Sequence, residues 1–177
     1  MSKAGGVLLW EFDEEMGSTR KMLECVPDDK LGWRPHAKSF TLARLAGHVA
    51  EIPNWAVKAI RQDKVGLSSE KSKSEIKAFF AGSREEALAR FDELSKQARD
   101  LIAGVSEESL GQMWTLTYDG RTVFTRPRGE VLRNLFMNHL IHHRAQLSVY
   151  LRLLDVPIPG MYGPSADTAA AMVASLK

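Results

Sequence analysis

The chain has a single cysteine, Cys25, among its 177 residues. That excludes an internal disulfide and fits a reducing cytoplasm. No motif surrounds Cys25, so it reads as a small hydrophobe rather than a nucleophile. Long apolar runs are missing as well. The run nearest the start, Val7-Leu8-Leu9-Trp10, is short and acidic residues follow it at once, too little for a signal peptide or a membrane span. Blocks of one charge are also lacking: 24 basic residues face 22 acidic ones for a formal charge of +2, which leaves no electrostatic footprint for nucleic acid. There is no internal repeat and no low-complexity block. What remains, 44% hydrophobic and 26% charged residues, is the composition of a globular protein with one domain over 1–177. A domain of that size buries roughly 70% of its unfolded surface.

Apolar periodicity predicts four long helices. The first runs from about Gly6 to Cys25, with Leu8, Phe12, Met16, Thr19 and Leu23 on one face and Pro27 as its stop. The second starts near Ser39 or Thr41 and carries Leu45, His48, Ile52, Trp55 and Ala59 inward, with Pro53 expected to kink or split it. Residues Gly66 to Lys73 are polar and read as a mobile connection, and Glu75 to Ala81 as a short helical piece. The third long helix opens on the capping box Ser83-Arg84-Glu85-Glu86. Between it and the fourth, apolar residues alternate on either side of Asp119-Gly120, the signature of a small β-hairpin. The fourth helix spans about Gly129 to Leu154. Pro157 to Pro164 cannot be helical, and a short Ala-rich helix closes the chain. The expected fold is all-α: a four-helix bundle with a long crossover connection and a small hairpin before the last long helix.

Only five histidines are present, and three lie together in Asn138-His139-Leu140-Ile141-His142-His143-Arg144. Residues four apart share a helix face, so His139 and His143 can grip one ion, and an apolar face is a costly place to leave them unpaired. With His139 at zero, Leu132 and Tyr150 fall at about 20°, His143 at about 40° and His142 at about 300°. The pair is therefore expected at the centre of the core stripe, with His142 at its edge. A core histidine satisfied by hydrogen bonds is the bland reading for any one of them. Two at this spacing tip the balance towards a metal. His48, on the inward face of the second helix, is the candidate third ligand, while His36 sits in a polar loop. Three imidazoles leave coordination positions open, as catalytic sites do.

Around these, Gln146 could orient a ligand, and Glu51 could accept a bond from an imidazole N–H. Trp55 and Tyr150 read as core or pocket wall. Arg126 and Arg128 read as surface residues, or as partners of an anionic group at the mouth. On the back of the fourth helix, Met137 and Ile141 at about 160° and about 200° form an apolar patch. Either the Pro157–Pro164 tail or a second subunit would cover it, with Arg133 and Arg144 flanking it. Since ligation needs neutral imidazoles, metal is expected to leave as pH falls below about 6.5.

The chain resembles the DinB family of YfiT-like metalloenzymes over nearly its whole length. The likeness lies in Leu31-Gly32-Trp33-Arg34-Pro35-His36, in Leu42-Ala43-Arg44-Leu45-Ala46-Gly47-His48-Val49, in Asn138 through Gln146, and in Val156 to Asp167. It implies a four-helix bundle with a divalent metal at one end of the core, and the family's three metal positions match His48, His139 and His143. It also implies homodimers and, in related members, transferase or isomerase chemistry using a low-molecular-weight thiol. The expectation is thus a zinc or nickel protein acting on a small molecule, with S-transfer as the first reaction class and no nucleic-acid or membrane partner. Metal-assisted hydrolysis, with Glu51 as the nearby base, is the second. A non-catalytic stress-response metal binder is the third.

Overall fold

The computed structural model describes residues 3–70 and 73–175. Helix α1 (Lys3–Leu23) leads through a 3₁₀ turn at Asp28–Lys30 to α2 (Leu42–Glu51) and α3 (Pro53–Arg61). The loop between them is tied to the helix it feeds: Leu42 N–H donates to the Trp33 carbonyl and Ala43 N–H to that of Leu31, at 2.8 and 2.9 Å. Thr41 caps α2, its hydroxyl accepting from Arg44 N–H at 3.2 Å. Pro53 does split this helix, but gently. Ile52 keeps helical dihedrals, and its N–H still donates to the His48 carbonyl.

Strand β1 (Lys64–Leu67) follows, then an extended stretch, then α4 (Arg84–Gly104) and the short α5 (Glu107–Gly111). At the start of α4 the Ser83 hydroxyl accepts from Glu86 N–H, and the Glu86 carboxylate reaches back to Gly82 N–H. Strands β2 (Met113–Tyr118) and β3 (Arg121–Pro127) make the expected hairpin, with Asp119 and Gly120 both at positive φ, 46° and 75°. The last long helix is composite. It consists of α6 (Arg128–Val131), a π-helical stretch over Leu132–Asn138 and α7 (His139–Leu153); α8 (Ala166–Ser175) follows a non-helical tail. Among the described residues no helix is long and apolar enough to cross a membrane.

The four long helices surround one core. Helix α1 packs on α4 and α7, α2 on the same two, and α3 on α4 and the π stretch. Phe12, Phe91, Phe136 and Trp114 are the largest side chains fully enclosed. Fully burying a side chain of this size contributes roughly 1.5–3 kcal/mol, so these rings carry much of the fold.

Several expectations need correction. The molecule is mostly helical but not purely so, because β1 joins the hairpin in a three-stranded sheet, pairing parallel with β2 in the register Lys64↔Thr115. The polar connection expected over Gly66–Lys73 is partly this strand. Ser68 and Ser69 beyond it bind Asp119 Oδ1 at 2.8 and 2.9 Å, while residues 71–72 lie outside the described part. The stretch 75–81 is extended rather than helical, because α2 claims its backbone. Phe79 N–H donates to Glu51, the Phe79 carbonyl accepts from Arg44, and Ala81 N–H donates to the Ala43 carbonyl. It runs so close that a Cβ at Gly47 would meet the Phe79 oxygen at 2.5 Å.

Arg128 is no surface residue. It is 3% exposed, and its guanidinium binds the carbonyls of Ala59 and Ser109 together with Gln112 and Asp63. Arg126 is exposed, lying over the Phe124 ring. Arg144, 2% exposed, pairs with Glu15 of α1 at 2.7 Å and bonds Thr19 at 3.2 Å. The tail returns over this pair, its Tyr162 hydroxyl donating to Glu15 Oε1 at 2.8 Å and accepting from Arg144 at 2.7 Å. The residues flanking the apolar back of the last helix are therefore held by α1 and the tail. Met137 is buried there and Ile141 half-buried, and Arg133 reaches Glu11 of α1.

Candidate metal centre

Helices α2 and α7 meet along the line that carries the histidines. From Leu132 onward the buried residues of the last helix are Leu132, Phe136, Met137, Leu140, Arg144, Leu147 and Leu151, so its core stripe runs beside His139 and His143 rather than through them. Leu153, placed in the stripe by an ideal helix, is 58% exposed. For the residues ahead of His139 the π stretch adds to the difference, since an extra residue per turn rephases everything upstream. The two histidines are left half-buried on the flank that faces α2, where His48 waits.

The three rings converge. His48 Nε2 lies 3.2 Å from His139 Nε2, and the ring of His143 is centred 4.4 Å from that of His48 and 4.7 Å from that of His139. One nitrogen from each can be chosen so that all lie within 4.8 Å of one another. In two of them the outer nitrogen has a partner that sets the inner one. His48 Nδ1 is 2.9 Å from Glu51 Oε1, an acceptor only, so it carries the proton and leaves Nε2 a free lone pair. His143 Nδ1 is 2.7 Å from Gln146 Oε1, which fixes the same tautomer. His139 Nδ1 is buried with no hydrogen bond of good geometry.

Protons are unwelcome here. Burial first, then the neighbouring His48 and His143, push His139 down to about 4, against a smaller pull from the Leu135 carbonyl. Burial and His48 bring His143 to about 4 as well, opposed by Gln146. Three imidazoles with one nitrogen each gathered within 4.8 Å are a donor set that fits a divalent metal ion.

Glu51 is buried and fully engaged. Oε1 takes His48 and Arg44, and Oε2 takes Phe79 N–H at 3.0 Å. Gln146 and Tyr150 line an open cleft of about 420 Å³ whose floor includes His143, together with Lys38, Ser39, Phe40 and Val149. Trp55 is not part of this cleft but of the core, at 8% exposed. His142 is exposed, its ring 4.8 Å from that of His143 and turned out of the cluster. His36 is exposed too, and its Nδ1 accepts from Lys38 N–H. Cys25 is half-buried, its thiol bonded to the Lys21 carbonyl and its pKa raised by burial and then by Glu24.

Sequence reasoning missed Phe40, Lys38 and Arg44. Phe40 stands 6.1 Å from the His48 ring, and its carbonyl accepts from the Tyr150 hydroxyl. Arg44 had a legible signal, since it precedes His48 by one helical turn.

A helical bundle with a three-histidine cluster beside an open cleft defines the class. A sequence model of the DinB family matches residues 1–173, and the chain belongs to this family. The uncharacterized protein YrdA of Bacillus subtilis (strain 168) is 26% identical over 162 residues, 89% of this chain and 86% of that one. Among solved structures, a DinB-like protein from Bacillus cereus ATCC 10987 superposes with a TM-score of 0.66 at 20% identity, covering 88% of this chain and 95% of the other. YfiT of Bacillus subtilis superposes at 0.63 and 16% identity, covering 88% and 90%; it is described as a probable metal-dependent hydrolase with an unusual four-helix bundle topology. At these identities the structural likeness concerns the fold.

Proposed function

We propose that His48, His139 and His143 hold a divalent metal, zinc or nickel, in an enzyme that acts on a small molecule with a low-molecular-weight thiol as co-substrate. The observation that supports this reading most is the placing of the three nitrogens beside an open cleft. A structural zinc is closed by four protein ligands, whereas this group of His, Cys, Asp and Glu side chains has three members among the described residues. When bound, the ion would hold a thiol as its thiolate or acidify a water. The chain's own part is to aim and to exclude. Glu51 and Gln146 fix two of the rings, while Phe40, Val149 and Tyr150 offer apolar walls to the body of a substrate. The reading places the protein in the cytoplasm, where free thiols are abundant and its single cysteine stays reduced.

Hydrolysis is the second reading, favoured by the likeness to YfiT. It asks for a carboxylate base, and the local candidate, Glu51, already has both oxygens committed. A non-catalytic metal binder would have no use for the cleft. The homodimer implied by the family resemblance remains part of the proposal on that ground alone, since Arg133 and Arg144, expected beside a subunit contact, are engaged by α1 and the tail; light scattering on the native chain decides it.

Elemental analysis tests the ligand set. His48→Ala, His139→Ala and His143→Ala should each lose stoichiometric metal, and His142→Ala should keep most of it. Loss in His142→Ala with retention in His143→Ala would overturn the assignment. Thiols added to the Co²⁺-substituted protein should change its visible spectrum. A spectrum indifferent to excess thiol would leave hydrolysis or simple metal storage. A panel of thiols and electrophiles then seeks the reaction itself.

A further inference from the structure

We infer that Arg44 is a positioning residue of the metal centre, acting on His48 through Glu51. It rests on the reading of the three histidines as metal ligands. Arg44 lies one turn before His48 on α2, and its side chain is largely enclosed. The guanidinium donates to Glu51 Oε1 at 3.0 Å and to the Phe79 carbonyl at 3.1 Å. The rings of Phe40 and Phe80 stand 5.2 and 5.5 Å from its central carbon, so the charge is held between two aromatic faces. No other role claims it.

The same guanidinium lies 3.3 Å from His48 Nδ1, and that contact shows what is at stake. Arginine only donates. Were Arg44 to donate to Nδ1, the ring proton would move to Nε2, the nitrogen that must face the metal, and His48 could not ligate. Glu51 prevents this by taking the Nδ1 proton itself at 2.9 Å. Arg44 in turn holds that same Oε1, while Phe79 N–H holds Oε2 at 3.0 Å. A carboxylate gripped at both oxygens cannot swing away from the imidazole. Arg44 thus gives Glu51 its position, Glu51 gives His48 its tautomer, and the 75–81 stretch becomes part of the metal site although none of its atoms touches the ligands' inner nitrogens. The arrangement also joins the cleft to the site, because Phe40, which lines the cleft, is one of the two rings on Arg44.

Two opposed effects make the inference testable. A fixed cation this close repels a bound dication, so removing it would tighten metal binding if charge alone mattered. If position matters, removing it loosens Glu51 and weakens binding; partners of metal-bound histidines change affinity by about ten- to a hundred-fold when lost. The experiment titrates metal-free native protein, Arg44→Gln, Glu51→Gln and the double variant with Zn²⁺ against a competing chelator, and records the visible spectrum of each with Co²⁺. Arg44→Gln should weaken Zn²⁺ binding by about ten-fold or more and alter the Co²⁺ bands. The double variant should be no worse than Glu51→Gln alone, because two residues acting in series do not add. Should Arg44→Gln fail to fold by circular dichroism, Arg44→Lys takes its place. Lysine keeps the charge but lacks the rigid planar fork, one nitrogen of which serves Glu51 and Phe79 while the other lies beside His48, and a loss in the same direction is expected. Unchanged or tighter binding, or losses that simply add, would overturn the role of Arg44. A native chain that binds no Zn²⁺ at all would instead overturn the ligand reading on which it rests.

Discussion

At the scale of single residues, the site is governed by where protons and charges can go. In the folded, metal-free chain His139 and His143 stay neutral down to about pH 4, chiefly because they are buried. In the unfolded chain they take protons at about 6.5. Between those values the unfolded state binds protons that the folded state refuses, so stability is complete above about 6.5 and drains away as pH falls towards about 4. Thermal melts of metal-free protein across that window should show the decline, and His139→Gln should make it shallower, leaving the part due to His143. A melt temperature constant through the window would refute the origin given. The same shift revises the expectation of metal loss below about 6.5: if these two histidines ligate as proposed, proton competition at them begins nearer pH 4, and metal held in mild acid no longer implies a hidden carboxylate. Arg144 and Glu15 make the second residue-scale case. Arg144→Met would strand a buried carboxylate, and breaking such a pair costs about 3–5 kcal/mol. Tyr162→Phe removes only the hydroxyl and should cost about 1 kcal/mol, both read from denaturant melts.

At the scale of elements, what could be read ahead was whatever is written locally. The spacing of His139 and His143, the Ser83 cap, the turn at Asp119-Gly120 and the break at Pro53 each depend on neighbours a few residues away, and each is where the chain said it would be. Pairings across long separations were not legible. Val65 gives no sign that it will meet Leu116, and nothing in Lys77-Ala78-Phe79-Phe80 announces that its backbone will be taken by Glu51, Arg44 and Ala43. That His48, His139 and His143 would lie together was legible because each could be placed on a helix face, and the structure does group them. Arg44, Phe40 and the burial of Arg144 depend on which helix lies opposite, and sequence periodicity does not say. Gly47 marks the tightest of these encounters. Gly47→Ala drives a methyl group into the Phe79 carbonyl and the Ala81 N–H, at 2.5 and 3.0 Å. Overpacking of this kind costs about 1–3 kcal/mol, and because it pushes at the stretch that holds Glu51, Zn²⁺ affinity should fall together with the melting temperature. Lost stability with unchanged affinity would mean that the stretch and the site are independent.

At the scale of the whole molecule, the last helix is held by two separate anchorages. Its start is fixed by Arg128, locked to α3 at Ala59 and to the α5 end at Ser109 and Gln112; its second half is fixed by Leu140, Leu147 and Leu151 in the core and by Arg144 on α1. Nothing obliges those two anchorages to sit a whole number of ideal turns apart. The π-helical stretch between them takes up the remainder, as a vernier does between two scales. A π turn holds one residue more than an α turn, so that residue is spare length rather than essential length. Deleting exposed Asn134 should let the stretch relax to ordinary α-helix with both ends still in phase, and Zn²⁺ stoichiometry should survive. Deleting Ala145 from α7 has no such slack to draw on. It would turn His139 and His143 by about 100° relative to Leu147 and Leu151, and metal should be lost. Elemental analysis of the two deletions compares them directly, and equal loss in both would deny the vernier. If the pair behaves as expected, the chain can lose a residue ahead of its histidines without re-aiming them, leaving the neighbouring surface free to change while the geometry of the three histidines stays where it is.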